Sequence, residues 1–130
     1  MAGADTSEIA AALDGKRIAI TGTTGFLGTA LVERLLRSVP GCRLVLMIRP
    51  GRRGVQNRVD REILRNDAFD RLREEFGKDG FAEMAANRIL PIAADITKGG
   101  LGLDDEGRAA LADCDIVIHS AASVSFDNPL

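Results

Sequence analysis

Apolar positions along this chain follow two rhythms. Short unbroken runs recur at wide intervals: Ile18-Ala19-Ile20, Leu44-Val45-Leu46-Met47-Ile48, Ile89-Leu90-Pro91-Ile92-Ala93-Ala94 and Ile116-Val117-Ile118. Each is bounded by polar or turn residues, the pattern of a parallel strand buried on both faces. After the first run the spacing changes to three and four. Leu27, Leu31 and Leu35 form one predicted stripe, and Val32, Leu36 and Val39 the next, with Glu33, Arg34 and Arg37 on the outer face. That helix is predicted to run to about Ser38 and to end at Pro40-Gly41. Ahead of the first strand, residues 1–6 read as a tail. Residues 7–13 read as a short helix capped by Ser7, and Asp14-Gly15 turns the chain into the strand.

The polar stretch 50–87 is longer than a βαβ crossover needs. It reads as two or three helices: residues 56–65, residues 68–76 capped by Asn66 or Asp67 and stopped by Gly77, and a short segment over 81–86. Residues 104–112 read as the crossover helix into the fourth strand. Pro91 has no N–H to give a ladder, so the third strand belongs at an edge. A strand order of 3-2-1-4 puts it there. The predicted class is α/β: a Rossmann-type doubly wound parallel sheet, cut short after about four strands, with a helical insert between strands 2 and 3. Residues 15–130 would form this incomplete domain, with residues 1–14 as tail and short helix.

Between the first strand and its helix lies Thr21-Gly22-Thr23-Thr24-Gly25-Phe26-Leu27-Gly28. Gly22 lets the chain turn sharply as it leaves the strand. Gly25 leaves no side chain where a diphosphate must approach the backbone, and Gly28 lets the helix lie close against the strand. Unpaired N–H groups at the helix start, with the positive end of its dipole, then face an anion. The spacing is Gly-x-x-Gly-x-x-Gly and lacks the Gly-Lys-Ser/Thr of a P-loop. Strand, turn and helix in this order point to a dinucleotide. This form of the turn resembles that of the extended short-chain dehydrogenase/reductases.

Composition narrows the picture further. The chain has 130 residues, 45% of them hydrophobic, and a net charge of −2, so it can build one core. The near-neutral balance argues against nucleic acid as a main partner. No apolar run approaches the ~20 residues that span a bilayer. The first residues carry no signal-peptide core, which makes the cytoplasm the expected location. Cys42 and Cys114 precede strands on either side of the first. Two strand spacings place them roughly 10 Å apart, beyond disulfide reach, so both are expected as free thiols. No metal site is expected.

The second strand ends in Arg49, where sites that prefer NAD carry an acidic residue for the ribose hydroxyls. Arg52, Arg53 and Arg58 follow, with no carboxylate before Asp60. Guanidinium groups there suit a 2′-phosphate, which favours NADPH. Asp95-Ile96, after the third strand, stands where short-chain reductases set an acid against the adenine amino group; an Asp leaving a strand is also a common turn former. His119-Ser120-Ala121-Ala122-Ser123-Val124 follows the fourth strand at the carboxyl end of the sheet, where small residues let the backbone near a cofactor. His119 is the only histidine and reads as structural. Ser123 and Ser125 have no evident general base beyond it.

Five segments in this order carry a closer resemblance: Thr21 to Gly28, Leu46-Met47-Ile48-Arg49-Pro50, Asp67-Ala68-Phe69-Asp70-Arg71-Leu72-Arg73, Asp95-Ile96-Thr97, and His119-Ser120-Ala121-Ala122-Ser123-Val124-Ser125-Phe126-Asp127. Together they resemble the N-terminal part of the fatty acyl-CoA reductases, the male sterility branch of the extended short-chain reductases. More loosely they resemble the thioester reductase domains of carboxylic acid reductases and peptide synthetases. The resemblance implies that Gly22, Thr23, Thr24, Gly25, Phe26, Leu27 and Gly28 hold the diphosphate. Arg49 and Arg58 would hold the 2′-phosphate, Asp95 and Ile96 the adenine, and Ala121 and Ala122 the nicotinamide side. It also implies reduction of a long-chain acyl-CoA or other acyl thioester by NADPH, through a hemithioacetal, to aldehyde and/or alcohol.

In that family a Tyr-x-x-x-Lys motif supplies the acid and the oxyanion support. This chain contains no tyrosine. No catalytic residue is therefore assigned to it, and the sequence is expected to be a fragment of a larger reductase. The acyl thioester would bind through the remaining part, by which a reductase of hydrophobic substrates can also dock to membranes. The fourth strand, left as an open apolar edge, should make the isolated piece marginally stable or self-associating. Two further classes stay open at this point: an extended reductase of sugars or sterols, and a non-catalytic NADP-sensing module.

Overall fold

The computed structural model describes residues 4–95 and 97–120, with side chains from residue 8 onward. Four strands form one parallel sheet: β1 (Arg17–Thr21), β2 (Arg43–Ile48), β3 (Ile89–Ala93) and β4 (Ile116–His119), in the order β3-β2-β1-β4. Ile18 lies beside Leu44 and Ile116, and Thr21 beside Met47 and His119. The carboxyl ends of β1, β2 and β4 are thus gathered along one rim of the sheet. Pro91 sits on the edge strand opposite Leu46, a position where a sheet tolerates a residue with no N–H to give the ladder.

Successive residues of a strand face opposite ways, so the runs feed two cores. On one face Ile18, Ile20, Leu44, Leu46 and Ile48 pack with α2 (Phe26–Ser38) through Val32, Leu35 and Leu36. On the other, Ala19, Val45, Met47 and Ile92 meet Leu101, Leu103 and, from α5 (Asp105–Ala112), Ala110 and Leu111. Asp104 caps α5, its carboxylate accepting from the Gly107 N–H at 2.7 Å. Helices on both faces of a parallel sheet make the doubly wound α/β class that the pattern predicted.

The insert departs from its expected outline. Helix α3 (Val55–Arg58) runs straight into a π-helical turn (Val59–Ile63), in which the Leu64 N–H donates to the Val59 carbonyl at 2.9 Å. Asn66, one of the two expected caps, accepts from the Ala68 N–H at 2.9 Å and starts a single 3-10 turn (Asp67–Phe69). Helix α4 (Asp70–Arg88) follows. Gly77, with φ 73°, breaks it as expected, but the chain resumes as a helix and absorbs the short segment predicted over 81–86. Tertiary contacts explain the restart. Phe81 packs on Phe69 with ring centroids 5.9 Å apart, and Arg88 donates to the carbonyls of Leu36 (2.7 Å), Val39 (2.6 Å) and Cys42 (3.1 Å). Ile63, Phe69 and Leu72 are wholly buried here, each worth about 1.5–3 kcal/mol of burial.

The insert packs on α2, and the outer face expected on that helix is only partly open to solvent: Arg34 is exposed and Arg37 half-buried. Glu33, predicted outward, is buried and held in a two-pronged ion pair by Arg37 at 3.0 and 3.3 Å. Leu27, predicted in the core stripe, is instead exposed, because the first turn of α2 stands beyond the end of the sheet. The N-terminal helix α1 (Ala4–Leu13) begins before Ser7, which lies inside it and not at its cap. Alanine-rich chain extends a helix cheaply once a turn exists, and Ala10 and Leu13 pack it on the core. Cys42 and Cys114 are both free thiols. Among the described residues no helix is long and apolar enough to cross a membrane.

Candidate functional site

The glycine turn is built by backbone geometry. Gly22 has φ 71°, a conformation that strains any side chain, and its carbonyl accepts from the Gly25 N–H at 3.2 Å. Thr29 reaches back from α2, its hydroxyl donating to the Thr23 carbonyl at 2.7 Å. Gly28 closes the packing: a Cβ there would lie 2.0 Å from the Gly22 oxygen and 2.7 Å from the Thr23 Cα. Gly25 is the N-cap of α2, and no side chain caps the helix. The first-turn N–H groups therefore stay open, with the dipole behind them, while the Phe26 side chain stands 91% exposed to one side.

A cleft of about 670 Å³ opens in front of this turn. Gly22, Thr23, Thr24, Gly25, Phe26, Leu27 and Gly28 line it on one side. Met47, Ile48, Arg49, Ala94, Asp95 and Thr97 come from the ends of β2 and β3, and Arg58 from α3. The Thr23 hydroxyl is buried and has no hydrogen-bond partner among the described residues. An orphaned hydroxyl beside open helix N–H groups fits a polar, anionic ligand better than an apolar one. The residues present therefore fit a dinucleotide.

At the far end Arg49 and Arg58 are tied into one network. The Arg58 Nη1 donates to the Arg49 carbonyl at 2.5 Å, and its Nε and Nη2 grip the Glu62 carboxylate. That pairing raises the pKa of Arg58 and lowers that of Glu62. Asp95 accepts from the Thr97 hydroxyl at 2.6 Å and the Thr97 N–H at 2.9 Å, and faces the Arg49 Nε at 3.8 Å. Thr97's two donors, helped by Arg49 and Lys98, hold the Asp95 carboxyl below its usual range. Arg52 and Arg53 stay exposed in the loop after β2 and do not line the cleft. Ile96, Ala121, Ala122, Ser123 and Ser125 lie outside the described residues.

β4 is sewn to β1 at the cleft's rim. The Thr21 hydroxyl shares a 2.8 Å hydrogen bond with the His119 Nδ1 and accepts from the Ser120 N–H at 3.1 Å. The Ser120 hydroxyl donates to the Thr21 carbonyl at 2.5 Å. His119 thus joins two strands, the structural place its sequence context suggested. Among the described residues no group of three His, Cys, Asp or Glu side chains could hold a metal ion. A second cavity of about 650 Å³ lies within the insert, over Val59, Leu64, Phe81 and Ala85, and offers no phosphate-binding backbone.

The profile of the male sterility protein family, a family of NAD-binding domains, matches residues 20–130. The chain belongs to that family. Among its relatives are fatty acyl-CoA reductase 1 of Arabidopsis thaliana, 34% identical over 119 residues, and of Mus musculus, 38% identical over 120. Those matches take in 88% and 90% of this chain but 24% and 22% of the relatives, so it spans about a quarter of their length. Two solved structures share the fold. The terminal R domain of the myxalamid PKS-NRPS pathway is 29% identical with a TM-score of 0.64, over 88% of this chain and 26% of that one. The PhqB reductase domain from Penicillium fellutanum is 27% identical with a TM-score of 0.59, over 95% and 33%. As a domain of this NAD-binding family, the chain is matched to a nicotinamide cofactor.

Three residues at the site were given no role by the sequence reading, although Thr21 and Thr97 stand within the quoted motifs. Thr21 and Thr97 act through short polar contacts that composition does not reveal. Glu62 carried a faint signal, its place four residues after Arg58, the spacing at which helix side chains meet.

Proposed function

We propose that this chain is the dinucleotide-binding portion of an NADPH-dependent acyl-thioester reductase whose substrate is a long-chain acyl-CoA, reduced to aldehyde and/or alcohol. The observation that carries the NADPH preference is the pair Arg49 and Arg58 at the end of β2, the only guanidinium groups lining the cleft among the described residues. The relatives named fatty acyl-CoA reductase support the substrate.

In this reading the open N–H groups of α2 bind the diphosphate and the Thr23 hydroxyl completes a polar contact beside it. Arg49 and Arg58 take the 2′-phosphate as charge-assisted donors. Asp95, kept ionised, accepts from the adenine amino group. When bound, the dinucleotide supplies the hydride. Catalytic acid and oxyanion groups come from outside this chain, which has no tyrosine.

The test is dinucleotide oxidation by the full-length protein with a long-chain acyl-CoA, NADPH against NADH. Turnover with NADPH and little with NADH is expected. Equal rates would remove the phosphate assignment and spare the reaction. Binding of NADPH without oxidation would move the reading to another extended reductase or to a sensor.

A further inference from the structure

We infer that Glu62 is a specificity-determining positioning residue: it sets the Arg58 guanidinium so that its free end faces the 2′-phosphate of the dinucleotide. This rests on the proposed role of Arg58. The arginine is fixed from three sides. A Cβ on Gly51 would lie 3.2 Å from the Arg58 Cδ and 3.4 Å from its Cγ, so the glycine makes room for the stem. The Arg49 carbonyl takes one N–H of Nη1 at 2.5 Å. Glu62 takes the Nε and one N–H of Nη2, the second at 3.1 Å. A guanidinium has five N–H donors in a rigid plane. One N–H on each terminal nitrogen is therefore left without a partner among the described residues, and such charged donors are strong partners for a phosphate oxygen.

The carboxylate's charge works against phosphate binding, and its two hydrogen bonds work for it. Their weights differ. Glu62 has a side chain 46% exposed, so its field at the phosphate is screened by water and salt. Arginine loses much rotamer freedom when it is fixed, and a guanidinium already held loses little more on binding. Positioning outweighs repulsion. The backbone helps: Arg58 ends α3 and Glu62 lies in the π-helical turn that follows, a local device common at functional sites.

The experiment is equilibrium binding by calorimetry to the full-length protein, with adenosine 2′,5′-bisphosphate and adenosine 5′-monophosphate as probes. Variants are Glu62→Ala, Glu62→Gln, Arg58→Met and the Glu62→Ala/Arg58→Met double. Glu62→Ala should weaken the bisphosphate by roughly five- to tenfold and leave the monophosphate unchanged. Glu62→Gln, which keeps one acceptor, should lose less. The double variant should bind no worse than Arg58→Met alone. In turnover, the KM for NADPH should rise with kcat unchanged. Bisphosphate binding that is unaltered or tighter in Glu62→Ala, with Arg58→Met impaired, overturns the inference alone. A wild-type protein with no preference for the bisphosphate, and no effect of Arg58→Met, removes the role of Arg58 and the inference with it.

Discussion

Replacing Gly28 with alanine puts one methyl group into space that the turn already fills. The new Cβ would lie 2.0 Å from the Gly22 oxygen and 2.7 Å from the Gly22 carbonyl carbon and the Thr23 Cα, all backbone atoms. Overpacking costs about 1–3 kcal/mol where side chains can shift. Here the turn is pinned by the Gly25 to Gly22 and Thr29 to Thr23 hydrogen bonds, so the upper end applies, about 3 kcal/mol. Alanine's better helix propensity offsets about 1 kcal/mol. A net loss of about 2 kcal/mol lowers the Tm of a domain this size by roughly 6–12 °C. Gly25→Ala is the control: its Cβ would meet only the Gly22 oxygen, at 3.5 Å, with φ at an ordinary −82°. It should cost less than about 1 kcal/mol, as at other N-caps, yet abolish dinucleotide binding by covering the open first turn. The assay is thermal unfolding followed by circular dichroism, with NADPH titration of each variant. A Gly28→Ala protein that melts with wild type, or a Gly25→Ala protein that melts below Gly28→Ala, would refute the reasoning.

Four other outcomes are expected. Arg88→Met strips the donor from the carbonyls of Leu36, Val39 and Cys42 and should cost about 2–4 kcal/mol in urea unfolding, with Arg88→Lys in between. Arg49→Asp should shift preference toward NADH by roughly tenfold or more in the ratio of dissociation constants, since a carboxylate suits ribose hydroxyls and repels phosphate. Asp95 has a carboxyl held below its usual range by Thr97, so its contribution to stability is present above about pH 4 and is lost as the pH falls through the depressed value. Thr97→Val should raise the Asp95 titration midpoint in carboxyl carbon NMR. Burial raises the pKa of both thiols, Cys42 being buried and Cys114 partly so; a disulfide reagent at neutral pH should label Cys114 well before Cys42.

Much of the architecture is written locally, and the sequence alone determines it. A parallel strand buried on both faces needs a continuous apolar run, and β1 and β2 are such strands; β3 and β4 carry the same pattern, yet as edge strands they leave Leu90 and Val117 exposed. The turn from β1 to α2 needs glycine at Gly22 for its positive φ and at Gly28 for close packing, so the turn that lines the cleft was legible in two residues. Pro91 marked the edge strand through its missing donor. Other features exist only where distant segments meet. Glu33 stands where an outward residue belongs on an isolated helix, yet in the folded chain it is buried against Arg37. Gly77 reads as a stop, and helix resumes beyond it because Phe81 finds Phe69 and Arg88 finds the end of α2. Composition does not separate the four arginines at and after β2; the family resemblance singled out Arg49 and Arg58, and among the described residues these two line the cleft. Helix and strand periods record what one segment buries. Which charge faces the ligand depends on the carboxylate and carbonyl that hold it, and those come together only when the chain is folded.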